Sequence, residues 1–164
     1  ACCGGGSNLI GMIHEFLDEP EIIKIGVEAH ATAALSNGTP GIMQGMKTYM
    51  LQTDDGSKSL GGSSLGAGIQ YFSVGPQHAF LKDQGVVKYT SATDKEILEA
   101  YKLIASTEGI CSALEPMAGA AELIKQAKNK PKDYLICLNL CGTGEKDLNT
   151  IQEHIGKDFE WKIR

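Results

Sequence analysis

Three consecutive glycines, Gly4-Gly5-Gly6, separate the short apolar stretch Ala1-Cys2-Cys3 from a run whose apolar residues return at helical spacing: Leu9, Ile10, Met12, Ile13, Phe16 and Leu17. No other junction in the 164-residue chain restricts the fold as much. The apolar stretch reads as the end of a buried strand and the glycines as a tight turn. Ser7 or Asn8 would then be the N-cap of a helix over residues 8–18. A strand, a glycine turn and a helix start leave backbone N–H groups pointing outward and let a ligand approach the main chain, where the helix dipole favours negative charge. Gly4, Gly5, Gly6, Ser7 and Asn8 are therefore candidate phosphate ligands. On spacing alone, the turn serves equally well as a plain connection. Leu9 stands where a G-x-G-x-x-G fingerprint requires glycine, and G-x-x-x-x-G-K-[ST] is absent, which counts against a nicotinamide-dependent oxidoreductase and a P-loop enzyme.

Downstream, strands and helices alternate. Residues 21–29 form a β-branched run after Pro20 and read as a strand, so strand, helix and strand make a right-handed βαβ unit. Residues 31–46 show no clear period. Thr48–Gln52 reads as a strand entering a turn marked by Asp55-Gly56, and 59–73, with four glycines, reads as a loop. A short helix is expected over 76–84, closed by Gly85, and a strand over 86–90. Thr93 and Glu96 form a capping box before a helix with Ile97, Ala100, Tyr101, Ile104 and Ala105 on its core face, and Gly109 ends it. Pro116 opens the next helix, with Ala120, Leu123, Ile124 and Ala127 inward. The near-continuous apolar run 133–140 reads as a central parallel strand. Gly142 and Gly144 turn the chain, and a last helix runs from 147 to 155. The tail 157–164 holds the single Trp but carries no clear signal. The expected fold is α/β: one domain over 1–164 with an open, mostly parallel twisted sheet and helices on both faces. In such sheets ligands bind beyond the carboxyl ends of strands, so one ligand could touch both glycine turns, 4–6 and 142–144.

Bulk properties exclude other classes. The net charge is −5 with no long Lys/Arg cluster, which disfavours nucleic acid. No apolar run approaches membrane-spanning length and no signal peptide is indicated. The five cysteines, in apolar or strand-like contexts and without C-x-x-C, read as reduced, buried, cytosolic thiols, and the chain is expected to be cytoplasmic. Three residues before the glycines are fewer than the five or six of an ordinary strand. The sequence is therefore expected to be part of a longer one.

Gly4–Asn8 with Ile10-Gly11-Met12 resembles the phosphate loop of the tryptophan synthase β subunit, a fold type II pyridoxal-phosphate (PLP) family. Ile25–Ala29, Gly66-Ala67-Gly68, Val74–His78, Glu108-Gly109-Ile110, Ala113-Leu114-Glu115, Asn139–Gly142 and Lys146-Asp147 resemble the same family, in order, over its C-terminal part only. The resemblance implies half of a larger two-domain subunit that replaces the hydroxyl of L-serine with indole to give L-tryptophan. It implies PLP as cofactor, a β–β homodimer and an α-subunit partner. Gly4–Asn8 would hold the phosphate, Glu108 would lie beside the ring, and Cys141 would face the ring nitrogen in place of a family serine. Glu108 reads as readily as an ordinary last-turn residue before Gly109. Gln70 replaces a substrate-contacting aspartate, and the carbonyls of Tyr71 and Ser73 match positions that hold a monovalent cation. Thr143, Glu145 and Pro116–Gly119 depart from the family pattern. The lysine that carries the coenzyme and the acid–base glutamate lie in the family's other half, so no catalytic residue is expected in this chain. The contrasting expectation is a non-catalytic α/β module that binds a phosphorylated small molecule or a partner chain.

Overall fold

The computed structural model describes residues 1–155. The elements are α1 (Ser7–Ile13), β1 (Ile25–Ala29), α2 (Ala34–Asn37), β2 (Thr39–Met43), β3 (Met46–Met50), α3 (Pro76–Asp83), β4 (Lys88–Ala92), α4 (Asp94–Glu108), α5 (Leu114–Ala127) and α6 (Leu148–Ile155). β1 and β4 pair in parallel, from Ile25 opposite Lys88 to Ala29 opposite Ala92. Ala1–Cys3 extends this sheet along the other edge of β1. The Val27 N–H donates to the Ala1 carbonyl at 3.0 Å, and the Cys3 N–H donates to the Val27 carbonyl at 2.8 Å.

Strand alternation sends neighbours to opposite faces. Cys2, Val27, Ala29 and Ala92 join Ile97, Tyr101, Leu114 and Met117 in one core against α4 and α5. Cys3 joins Leu9, Ile13, Leu35, Leu81 and Val87 in the other. Gly26 is required here by close approach, because a Cβ at that position would lie 2.4 Å from Leu9. Glu28 also faces this side. Its buried carboxylate accepts from the Leu35 N–H and the Ser36 N–H, both at 2.8 Å, and from the Ser36 hydroxyl at 2.7 Å, so it supplies the cap that four-residue α2 lacks. The sheet thus carries helices on both faces, as expected.

Several boundaries differ from the sequence reading. Gly6, in the left-handed region at φ 110°, is the N-cap of α1 instead of Ser7 or Asn8, and the helix ends at Ile13 before a single 3-10 turn. β1 begins only at Ile25, since the Lys24 ammonium folds back onto the carbonyls of Glu19 (2.6 Å) and Ile22 (3.1 Å). Residues 31–46, which showed no period, hold α2 and the first strand of an antiparallel hairpin, β2–β3. Its turn is Gln44-Gly45, both at positive φ, while Asp55-Gly56 closes a separate loop. β4 starts two residues late because the Val86 and Val87 amides both donate to the Leu81 carbonyl.

The Thr93–Glu96 capping box and the left-handed Gly109 are present as read. α5 starts at Leu114, two residues before Pro116. That position is still in the first turn, where a missing N–H costs nothing. Residues Leu114–Glu122 of α5 are buried on every side, whereas Ala127 is exposed. The largest correction concerns 133–140, which forms no strand. Leu138 and Leu140 pack on the core, but Leu135 is 84% exposed. The run makes no ladder, and its backbone turns back locally, with the Tyr134 N–H donating to the Pro131 carbonyl at 3.1 Å. The tail 157–164, which carried no clear signal, lies outside the described residues, and of the five cysteines expected to be buried Cys111 and Cys137 are exposed. Among the described residues no helix is long and apolar enough to cross a membrane.

Candidate functional site

Both glycine turns border one cavity of about 470 Å³, lined by Cys2, Gly4–Asn8, Gly68, Ile69, Tyr71, Ala113, Glu115, Cys141, Gly142 and Lys146. It lies beyond the carboxyl end of Ala1–Cys3, where parallel α/β sheets place their ligands. Close backbone approach builds its walls. A Cβ on Gly4 would sit 2.6 Å from the Gly68 carbonyl, and one on Gly6 would sit 2.1 Å from the His78 ring. Gly5 has open space around it. The Gly75 N–H holds the Gly5 carbonyl at 3.0 Å, and His78 Nε2 donates to the Gly6 carbonyl at 2.7 Å. With the loop carbonyls tied back, the edge left for a ligand is the N–H edge of the glycines.

Opposite the loop stands a charged cluster. Glu115 Oε1 accepts from the Gly68 N–H at 2.7 Å and from Lys146 Nζ at 2.9 Å. Lys146 Nζ also reaches both oxygens of Asp147, at 2.8 and 2.9 Å. Asp147 Oδ2 in turn accepts from the Leu114 N–H at 2.8 Å, which caps α5. Burial raises the affinity of Glu115 for its proton, but Lys146 and the Gly68 amide outweigh it and hold the carboxyl below the ordinary glutamate range. Burial opposes the charge on Lys146, and the two carboxylates override it and raise its pKa. Glu115 Oε2 is buried without a protein partner among the described residues. A ligand donor entering the cavity would satisfy it, so this oxygen and the open glycine cradle fit a phosphorylated group with a polar ring.

Of the residues singled out by sequence, Gly4–Asn8 and Cys141 meet in this cavity, and Tyr71 lines it. Asn8 does not cap the helix: its Nδ2 donates to the Cys2 carbonyl, and its Oδ1 accepts from Asn139 at 2.9 Å, which joins the two glycine turns. Glu108 lies elsewhere, exposed at the end of α4. Gln70 is exposed and donates from Nε2 to the Ser64 carbonyl; it is not part of the lining. Ser73 is buried and donates to the Tyr49 carbonyl at 3.2 Å, outside the lining. Sequence reasoning assigned no role to Glu115 or Lys146, although both fall in quoted motifs. A carboxylate one residue before a proline in a first helical turn was the available signal.

No family model matches the chain. It is 45% identical over 172 aligned residues to the tryptophan synthase beta chain of Dinoroseobacter shibae, covering 99% of this chain and 42% of that one. It is 46% identical to the tryptophan synthase beta chain of a Ruegeria species, covering 97% and 40%. Among solved structures, a fungal L-serine ammonia-lyase from Rhizomucor miehei superposes with a TM-score of 0.64 at 16% identity, covering 93% of this chain and 48% of that one. An O-ureido-L-serine synthase superposes with a TM-score of 0.60 at 16% identity, covering 90% and 38%. The fold is that of one part of a fold type II PLP enzyme. More particularly, the chain belongs to the tryptophan synthase β family, and it spans about 40% of the length of the relatives it matches.

Proposed function

We propose that this chain supplies the coenzyme-holding half of a PLP-dependent enzyme that replaces the hydroxyl of L-serine with indole to form L-tryptophan. The observation that carries the reading is the meeting of the Gly4–Gly6 and Cys141–Gly142 turns, 131 residues apart at Asn8 and Asn139, around one cavity. In this reading Gly4, Gly5, Gly6 and Ser7 bind the phosphate through backbone N–H groups, and Asn8 and Asn139 hold the two turns in register. Cys141 faces the ring nitrogen. Its thiol is a weak donor, so the contact would be weaker than a hydroxyl's. Bound PLP supplies an electron sink for breaking bonds at the substrate's α- and β-carbons.

Glu115 Oε2 accepts a hydrogen bond from the ligand, and Lys146 keeps that carboxylate ionised. Lys146 is fully engaged by Glu115 and Asp147, so it is not the amine that carries the coenzyme. That lysine and the acid–base glutamate come from a second domain of the complete subunit. We further propose a β–β homodimer, an α-subunit partner, a monovalent cation held by the Tyr71 and Ser73 carbonyls, Gln70 near the substrate entrance and a cytoplasmic location. Glu108 is not among the lining residues, and in this reading Glu115 takes the place beside the ring.

The engaged state of Lys146 also favours a second reading, a non-catalytic module that binds a phosphorylated small molecule. Tryptophan formation from serine and indole by the complete protein tests the first. Ligand binding without any turnover supports the second.

A further inference from the structure

Cys2 and Cys141 come from opposite ends of the described chain, and both line the cavity. Cys2 is 3% exposed, Cys141 is half-buried, and both pack on the same apolar core. Their backbones are pinned on either side of the thiols. Asn8 Nδ2 donates to Cys2 Sγ and to the Cys2 carbonyl, each at 3.2 Å, while its Oδ1 accepts from Asn139 at 2.9 Å, two residues before Cys141. The Ser112 hydroxyl donates to the Cys141 carbonyl at 3.0 Å. Both side chains line the same cavity and pack on the same core, and Asn8, bonded to the Cys2 thiol, ties that segment to the one carrying Cys141. Cys3 points to the opposite face, among Leu9 and Leu35, and cannot compete.

We propose that Cys2 and Cys141 are a paired modification site that hydrogen peroxide closes to an intramolecular disulfide in the cavity lining. Cys141, the more accessible thiol, reacts first. Its thiolate sulfur attacks one peroxide oxygen, the O–O bond breaks, and a sulfenic acid and hydroxide result. The Cys2 sulfur then attacks the Cys141 sulfur. The S–S bond forms, the S–O bond breaks, and the leaving hydroxide departs as water with the Cys2 proton. Two thiols lose two electrons and two protons, and one peroxide becomes two waters. Burial and the neighbouring Cys141 push the Cys2 thiol up to about 12, which is why it resolves and does not initiate. The Asn8 amide at its sulfur stabilises charge as the proton leaves. Resting on the coenzyme reading, the bridge would also withdraw Cys141 from the ring and weaken coenzyme binding.

The test uses a C111S/C137S background, which removes the exposed thiols, treated with hydrogen peroxide and then digested with trypsin. The expected product is a dithiothreitol-reversible link between segments 1–24 and 133–146, assigned by fragmentation to Cys2 and Cys141 and lost in C2S and in C141S. A bridge to Cys3, or Cys141 oxidised to sulfenic or sulfinic acid with Cys2 still free, would overturn the proposal. Pyridoxine 5′-phosphate affinity before and after oxidation separates the two ideas. A bridge that forms without changing affinity upholds the modification site and removes the ring role of Cys141.

Discussion

His78 Nε2 lies 2.7 Å from the Gly6 carbonyl oxygen, and its Nδ1 lies 2.9 Å from the Tyr89 hydroxyl. A carbonyl only accepts, so Nε2 carries the proton, Nδ1 is bare and Tyr89 donates to it. His78 is 2% exposed, and burial lowers its pKa. A neutral ring therefore holds the one glycine of the 4–6 loop with positive φ, and Gly6 also receives the Ile10 N–H at 3.0 Å, so α1 and the cavity wall share one acceptor.

Replacing His78 separates packing from positioning. His78→Gln keeps a donor near Nε2, whereas His78→Asn keeps only the Tyr89 side. We expect His78→Asn to cost about 1–3 kcal/mol, measured by urea unfolding, and His78→Gln distinctly less. The pH dependence has a fixed sign. With the folded pKa below the ordinary value near 6.5, the unfolded chain takes up the proton first on acidification. The contribution is complete above about 6.5 and falls as pH drops below it. His78→Gln flattens that part of the stability profile.

Gly5 and Gly6 are adjacent but should respond oppositely. Gly6→Ala meets the His78 ring and a φ of 110°, and should lose about 2–4 kcal/mol of stability. Gly5→Ala meets nothing within 4 Å and should change stability by less than about 0.5 kcal/mol. Its methyl would stand at the open cradle, so it should weaken phosphate binding while the melting temperature stays near that of the parent. Equal thermal losses in both variants would contradict this.

Lys146→Met leaves the Glu115 carboxylate buried without its cation. The expected loss is about 1–2 kcal/mol, smaller than for a fully buried pair because the Lys146 side chain is 46% exposed. Glu115→Gln retains an acceptor for the Gly68 N–H and should lose less. Since the folded Glu115 pKa is held below its ordinary value near 4.3, the pair stabilises the fold above that pH and the stabilisation fades as pH falls below it. Chemical denaturation at several pH values reads both effects.

Local chemistry made some elements legible in the sequence. The capping box at Thr93 and the left-handed Gly109 are set by groups within a turn of each other, and they were read correctly. Elements set by distant partners were not. The apolar run 133–140 has strand composition but pairs with no strand among the described residues, and composition alone does not report a distant pairing partner. Hairpin β2–β3 was hidden because Gly41 and Pro40 sit inside β2, where propensity argues against a strand, yet β3 supplies its ladder. In the site, the glycine loop was visible because glycine spacing is a backbone property. Glu115 acquires its role only when Gly68 and Lys146 arrive from 47 and 31 residues away.

The central claim is that the Gly4–Asn8 amides and the Cys141–Gly142 turn hold one phosphorylated coenzyme. Titration of the isotope-labelled chain with pyridoxine 5′-phosphate, followed by amide chemical shifts, tests it most directly. The account predicts saturable shifts at both turns with a common affinity, reduced in Gly5→Ala. Shifts confined to surface lysines, or saturation at the glycine loop with Cys141 and Gly142 unmoved, would contradict it.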